Sequence, residues 1–174
     1  VDVDLDAGTA TDGFGDTDIL IDIEDVRGSE FDDIIRGRSD VRSRLSGEDG
    51  DDTLIGRSQA GNDGDSFRGD GGNDTVFGGA SDWDFINYES DDAPTGIVAD
   101  LAAGVVSDGQ GGVDTLSGIE LIGGTRFGDT IAGDEKDNFI EGRAGDDTLL
   151  GLAGSDDIRG GAGNDLIDGG AENV

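Results

Sequence analysis

The chain has 174 residues, enough for one domain of ordinary size, but 42 Asp and Glu against 11 Lys and Arg leave a formal net charge of -31, and 34 residues are Gly. So much like charge on a weakly apolar chain ordinarily marks a disordered segment; it also opposes nucleic-acid phosphates and anionic membrane surfaces, and favours cations. With no Cys and no His, thiolate and imidazole metal sites, disulfides and Ser-His-Asp or Cys-His nucleophile systems are excluded. No apolar run approaches the roughly 20 residues of a membrane span, and no signal peptide opens the chain at Val1.

In chain order, residues 1–5 alternate apolar and acidic side chains, the pattern of a strand with one buried face. Residues 13–21 form a first nine-residue row with Asp18 in the sixth place and Leu20 in the eighth. Row 28–36 carries Asp33 and Ile35 in those places, and row 37–46 is one residue too long, with Ser43 where Asp is expected. Row 47–55 is regular, with Gly47, Gly50, Asp52 and Leu54, whereas 56–68 carries four extra residues and ends on Asp65-Ser66-Phe67. Row 69–77 is regular again through Gly72, Asp74 and Val76, and row 78–87 places Asp84 and Ile86.

The rows stop at residues 88–96, a loop that holds the single Pro, Pro94. Residues 97–133 then replay the opening at an offset of 96: Ile119-Glu120 matches Ile23-Glu24, and Gly133 matches Gly37. Row 109–117 carries Asp114 and Leu116; rows 124–132 and 133–141 carry Asp129 and Asn138. Three rows follow without a gap: Gly142, Gly145 and Asp147; Gly151, Gly154 and Asp156; Gly160, Gly163 and Asp165. The expected organisation is a first unit over 1–87 (preface 1–27, rows 28–87), a linker over 88–96, and a second unit over 97–174 (preface 97–123, rows 124–174). Both ends fall inside the pattern, so a fragment of a longer protein is expected.

The row has a physical logic. Gly-rich sextets cannot continue a strand, so each row is one turn plus one short strand, and glycine in the first and fourth places permits a tight turn. Two rows then close one coil of a parallel β solenoid, odd rows stacking on odd and even on even about 4.8 Å apart. One buried aliphatic per row does not offset the entropy of ordering nine residues. Stacking also brings sixth-place carboxylates together, which is repulsive without a counterion. A hard divalent ion taking carboxylate and carbonyl oxygens reverses that sign, and flexible all-oxygen sites suit Ca²⁺ better than Mg²⁺.

The row Gly-Gly-x-Gly-x-Asp-x-apolar-x resembles the glycine- and aspartate-rich nonapeptide of RTX proteins, and residues 160–168 match it at every defined position. The resemblance implies an all-β fold, a right-handed parallel β-roll or β-helix solenoid in two stacks of nonapeptide half-coils, with several Ca²⁺ ions in the turns. It implies type I secretion and folding outside the cell, in a secreted or cell-surface bacterial protein. Carried over row by row, the ligand pairs are Asp33 with Asp52, Asp52 with Asp74, Asp65 with Asp84, Asp129 with Asp147, Asn138 with Asp156 and Asp147 with Asp165. Gly47, Gly50, Gly69, Gly72, Gly142, Gly145, Gly151, Gly154, Gly160 and Gly163 form the turns; Asp18 and Asp114 join only if the prefaces join the stacks.

Other features weigh less. Paired acids suggest a glycosidase, but here they are periodic, so no catalytic role is expected; a catalytic domain elsewhere in the parent protein remains open. The arginines Arg36, Arg38, Arg42 and Arg44 are expected to neutralise the degenerate row. Trp83, Phe85 and Tyr88 are expected to cap the end of the first stack. The alternative function is a recognition module, an adhesin segment or a polysaccharide-binding accessory domain, using Trp83 and Tyr88 as a sugar-stacking face. Expected partners are calcium and other domains of the parent protein, with surface polysaccharide or self-association as further candidates; nucleic acid and membrane insertion are not expected.

Overall fold

Most rows contribute a three-residue strand because the apolar tail is bounded by turn residues, but four tails run on through the first-place Gly into the following row as six-residue strands, so the expectation that the Gly-rich sextet ends the strand fails there. A computed structural model describes residues 1–57, 59, 63–90 and 93–171. The insertion of row 56–68 and the 88–96 linker therefore fall partly, and residues 172–174 wholly, outside the described residues. Among the described residues every regular element is a strand. In order they are β1 (Asp2–Asp4), β2 (Thr9–Thr11), β3 (Thr17–Ile19), β4 (Asp25–Arg27), β5 (Ile34–Arg36), β6 (Arg44–Asp49), β7 (Thr53–Ile55), β8 (Ser66–Gly71), β9 (Thr75–Phe77) and β10 (Phe85–Asn87). The second half adds β11 (Val98–Asp100), β12 (Val105–Ser107), β13 (Val113–Ser117), β14 (Leu121–Gly123), β15 (Thr130–Ala132), β16 (Phe139–Ala144), β17 (Thr148–Leu150), β18 (Asp157–Ala162) and β19 (Leu166–Asp168).

Outside the two prefaces, whose strands β1–β3 and β11–β13 all lie in the larger sheet, the strands alternate between a 12-stranded and a 7-stranded sheet. Parallel registers superpose the eighth places: Ile35 on Leu54, Leu54 on Val76 and Val76 on Leu116 in the larger sheet, then Ile131 on Leu149 and Leu149 on Ile167. In the smaller sheet Val26, Leu45, Phe67, Ile86, Ile122, Ile140 and Ile158 form one continuous ladder. Most of these side chains are fully buried between the two sheets, so the core is a double file made largely of aliphatics, with Phe67 fully buried among them. The molecule is a parallel β-roll, with odd rows stacked on odd and even on even.

The two prefaces have one architecture. β1, β2 and β3 form an antiparallel meander, and β11, β12 and β13 repeat it. Their surroundings differ. β13 also pairs in parallel with β9, and β14 with β10, so both sheets run on from the first set of rows into the second. β3 instead ends the larger sheet and lies exposed throughout.

Candidate metal centre

The stacking that builds the core also aligns the sixth places. In every expected pair the backbone N–H of one row donates to the Oδ1 of the row above: Asp33 to Asp52 (2.8 Å), Asp52 to Asp74 (2.9 Å), Asp65 to Asp84 (2.7 Å), Asp129 to Asp147 (2.8 Å), Asn138 to Asp156 (2.9 Å) and Asp147 to Asp165 (3.1 Å). One oxygen of the upper carboxylate in each pair is thereby claimed by an amide. The second oxygen turns toward the first-place glycine of its own row. A Cβ built on Gly47, Gly69, Gly142, Gly151 or Gly160 would lie 2.0–2.4 Å from that Oδ2, of Asp52, Asp74, Asp147, Asp156 and Asp165 respectively. A side chain there would have to displace the carboxylate from this position.

What the second oxygen meets depends on the fourth place. In rows 28–36, 37–46, 56–68, 124–132 and 133–141 the fourth place is not Gly. The second-place N–H there closes onto the sixth side chain: Ser29 to Asp33 Oδ2 (2.5 Å), Arg38 to Ser43 Oγ (2.9 Å), Arg57 to Asp65 Oδ2 (2.9 Å), Thr125 to Asp129 Oδ2 (2.7 Å) and Asp134 to Asn138 Oδ1 (2.8 Å). In rows 47–55, 69–77, 142–150 and 151–159, where Gly holds the fourth place, the second residue is left-handed instead: Glu48 (φ 77), Asp70 (φ 67), Arg143 (φ 76) and Leu152 (φ 72). In these four rows Asp52, Asp74, Asp147 and Asp156 each keep a buried Oδ2 with no hydrogen-bond partner.

A buried, unpartnered carboxylate oxygen is costly. Burial accordingly raises Asp52 to about 6 and Asp74 to about 7, with neighbouring aspartates adding to both, and also raises Asp147 and Asp129. Carbonyl oxygens of the next row complete the cradle: Gly160 O lies 2.9 Å, and Gly169 O 3.0 Å, from the Cβ positions of Gly142 and Gly151 that the carboxylates of Asp147 and Asp156 approach. Gly47, Gly142 and Gly151 carbonyls stand in the same way beside Asp33, Asp129 and Asn138. This donor set, carboxylate plus backbone carbonyl with no nitrogen or sulfur, fits a hard divalent ion. Among the described residues no three acidic side chains converge as a ready cage, so backbone oxygens would have to supply much of the coordination. The fourth-place glycines serve clearance: a Cβ on Gly72 would lie 2.0 Å from Gly50 O, and one on Gly163 1.8 Å from Gly145 O.

The preface aspartates divide. Asp114 enters the column, its Oδ1 accepting the Asp74 N–H at 3.0 Å and its Oδ2 the Tyr88 hydroxyl at 2.8 Å. Asp18 does not: it lies exposed on β3 opposite Ala10. Two buried acids, one in a column and one in the β12–β13 hairpin, escaped the sequence reading. Glu120 stands between Asp84 and Asn138; its backbone O accepts the Phe139 N–H (3.1 Å), its Oε1 accepts from Lys136 Nζ (2.9 Å), and its Oε2 is buried without a partner. Asp108 is the other. Glu120 was marked only by its match with Glu24 at the 96-residue offset.

Tyr88 is 7% exposed and belongs to the core between the two sets of rows, whereas Trp83 is 62% exposed. The aromatic cluster is thus neither an end cap, since β14 pairs with β10 beyond it, nor a shared stacking face. Arg36, Arg38 and Arg44 pair with Asp2, Glu24 with Asp40, and Asp25, local acids of the preface and its neighbouring row.

A parallel β-roll whose turns are lined by buried carboxylates and glycine carbonyls defines a repeat protein of the cation-binding class. The RTX calcium-binding nonapeptide repeat matches in four copies, over residues 42–60, 59–90, 123–158 and 150–173, more than half of the chain. The chain belongs to that family. No curated protein matches it.

Proposed function

We propose that the chain is a calcium-binding structural module of a secreted or cell-surface protein, ordered by Ca²⁺ outside the cell and supporting other domains of its parent. The observation that carries this reading is the set of buried, unpartnered oxygens on Asp52, Asp74, Asp147 and Asp156, each set against a first-place glycine. These four rows would hold Ca²⁺ most strongly, with Gly47, Gly69, Gly142, Gly151 and Gly160 supplying clearance or carbonyls. Asp33, Asp65, Asp129 and Asn138, whose side chains already accept a second-place amide, would hold it more weakly, and Asn138 also lacks a charge. A bound Ca²⁺ supplies the positive charge that the carboxylate columns lack. Ca²⁺-dependent folding fits a net charge of -31, which disfavours compaction until cations bind.

Circular dichroism of the chain in excess chelator and in saturating calcium tests the proposal. The expected result is a disordered spectrum in chelator that converts to β on adding calcium. A β spectrum of full amplitude in chelator overturns it.

A further inference from the structure

Asp108 lies in the β12–β13 hairpin, outside the matched repeats, and is 1% exposed. Its Oδ1 accepts three amides of its own turn, from Gln110 (2.8 Å), Gly111 (2.9 Å) and Gly112 (2.9 Å). Its Oδ2 is buried and has no hydrogen-bond partner. The hairpin is docked on the turn of row 69–77: Gln110 Nε2 donates to Asp70 O (2.7 Å), and Val113 N–H donates to Asn73 Oδ1 (3.1 Å). A Cβ on Gly112 would lie 1.8 Å from Gly72 O and 2.8 Å from Asp108 Oδ2. Two oxygens that both crowd one methyl-sized space are close enough to share an ion with bonds of roughly 2.3–2.6 Å.

Asp74, in the row beneath, contributes the second unpartnered buried oxygen. Asp74 follows Asn73, which accepts the Val113 N–H, and its own N–H donates to Asp114 Oδ1, so the hairpin and its strand meet the row at Asp74 as well. Both oxygens of Asp114 already accept hydrogen bonds, from Asp74 N–H and Tyr88 OH, so the demand for a counterion falls on Asp74 and Asp108.

We propose that Asp108 and Asp74, with the carbonyl of Gly72, bind a divalent cation, Ca²⁺, at the seam where the second preface closes on the first set of rows. The site rests on the calcium reading of the rows and extends it to a residue outside the nonapeptide. An ion there joins β9 to the β12–β13 hairpin, so that loading of the first rows and docking of the second unit become one event.

The test is a calcium titration of the whole chain by calorimetry, comparing Asp108→Asn and Asp108→Ser with Asp147→Asn as a control in a distant row. It is paired with Tb³⁺ emission excited through Tyr88 in a Trp83→Phe background, Trp83 being the single, exposed tryptophan. Both Asp108 variants are expected to bind one Ca²⁺ fewer, or to bind it roughly tenfold more weakly, while keeping the calcium-induced β spectrum. They should also lose the Tyr88-sensitised emission, which Asp147→Asn should retain. Wild-type titration and emission in the Asp108 variants, beside an altered titration in Asp147→Asn, overturn the seam site and leave the row reading standing. An unaltered Asp147→Asn, or a parent chain that binds no calcium, overturns the row reading. Absence of Tyr88-sensitised emission from the Trp83→Phe chain overturns the seam site however the Asp108 variants fold.

Discussion

The N–H of Asp129 donates to Asp147 Oδ1 at 2.8 Å, and the same register sets Ile131 on Leu149 in the core. Carboxylate column and hydrophobic file are therefore two sides of one stacking step. A change on either side should be felt on the other.

Asp147 separates the roles of its two oxygens. Asp147→Asn keeps an acceptor for Asp129 N–H but removes the charge facing Gly142, so it should weaken calcium binding with little loss of stability at saturating calcium. Asp147→Ala also strands the buried Asp129 amide, which costs a further ~1–3 kcal/mol. Calcium titration and thermal unfolding at saturating calcium distinguish the two; equal behaviour of Asn and Ala would show that the Oδ1 bond contributes nothing.

The metal-free protein should respond to acid in the opposite sense to most proteins. Burial raises Asp74 to about 7, and Asp52 and Asp114 to about 6, from an ordinary 3.8. Between those values the folded state binds more protons than the unfolded one, so stability is greatest below the ordinary pKa and is lost as pH rises through the folded values. Chelator-free, calcium-depleted chain should gain β signal in circular dichroism as pH falls from about 7 to about 4. Calcium affinity should move the other way, weakening on acidification as protons compete for the same oxygens.

Gly145→Ala tests clearance between turns. Gly145 has φ 116, and an added Cβ would lie 2.3 Å from the backbone carbon of Phe127. Neither fault can be relieved by a side-chain rotation, so the calcium-loaded chain should lose more than about 2 kcal/mol in denaturant unfolding.

Leu149→Ala opens the core file between Ile131 and Ile167 at a fully buried site. A loss of about 2–5 kcal/mol is expected. Because the same step carries the Asp129–Asp147 contact, the calcium midpoint should rise as well; an unchanged midpoint would mean that core and column are uncoupled.

Much of this architecture is written locally. Gly in the first place, Asp in the sixth and an aliphatic in the eighth fix a turn, a carboxylate and a core position without reference to the rest of the chain, and a constant period forces row n onto row n+2. The six sixth-place pairs were legible for that reason. The division of the rows was present in the sequence too, as fourth-place Gly against Phe31, Phe127 or Lys136, but its meaning emerged only from which amide reaches the second carboxylate oxygen. What the period could not specify is how the stack resumes after residue 87. Asp74 meets Asp114 across 40 residues because β13 turns back onto β9, whereas its counterpart Asp18 stays exposed on an edge strand. That one long-range pairing buries Tyr88, brings Asp108 over Gly72 and sets Glu120 in the second column. Local sequence determined the coil; tertiary contact decided the seam, because no local residue choice dictates which distant strand a hairpin edge will pair with.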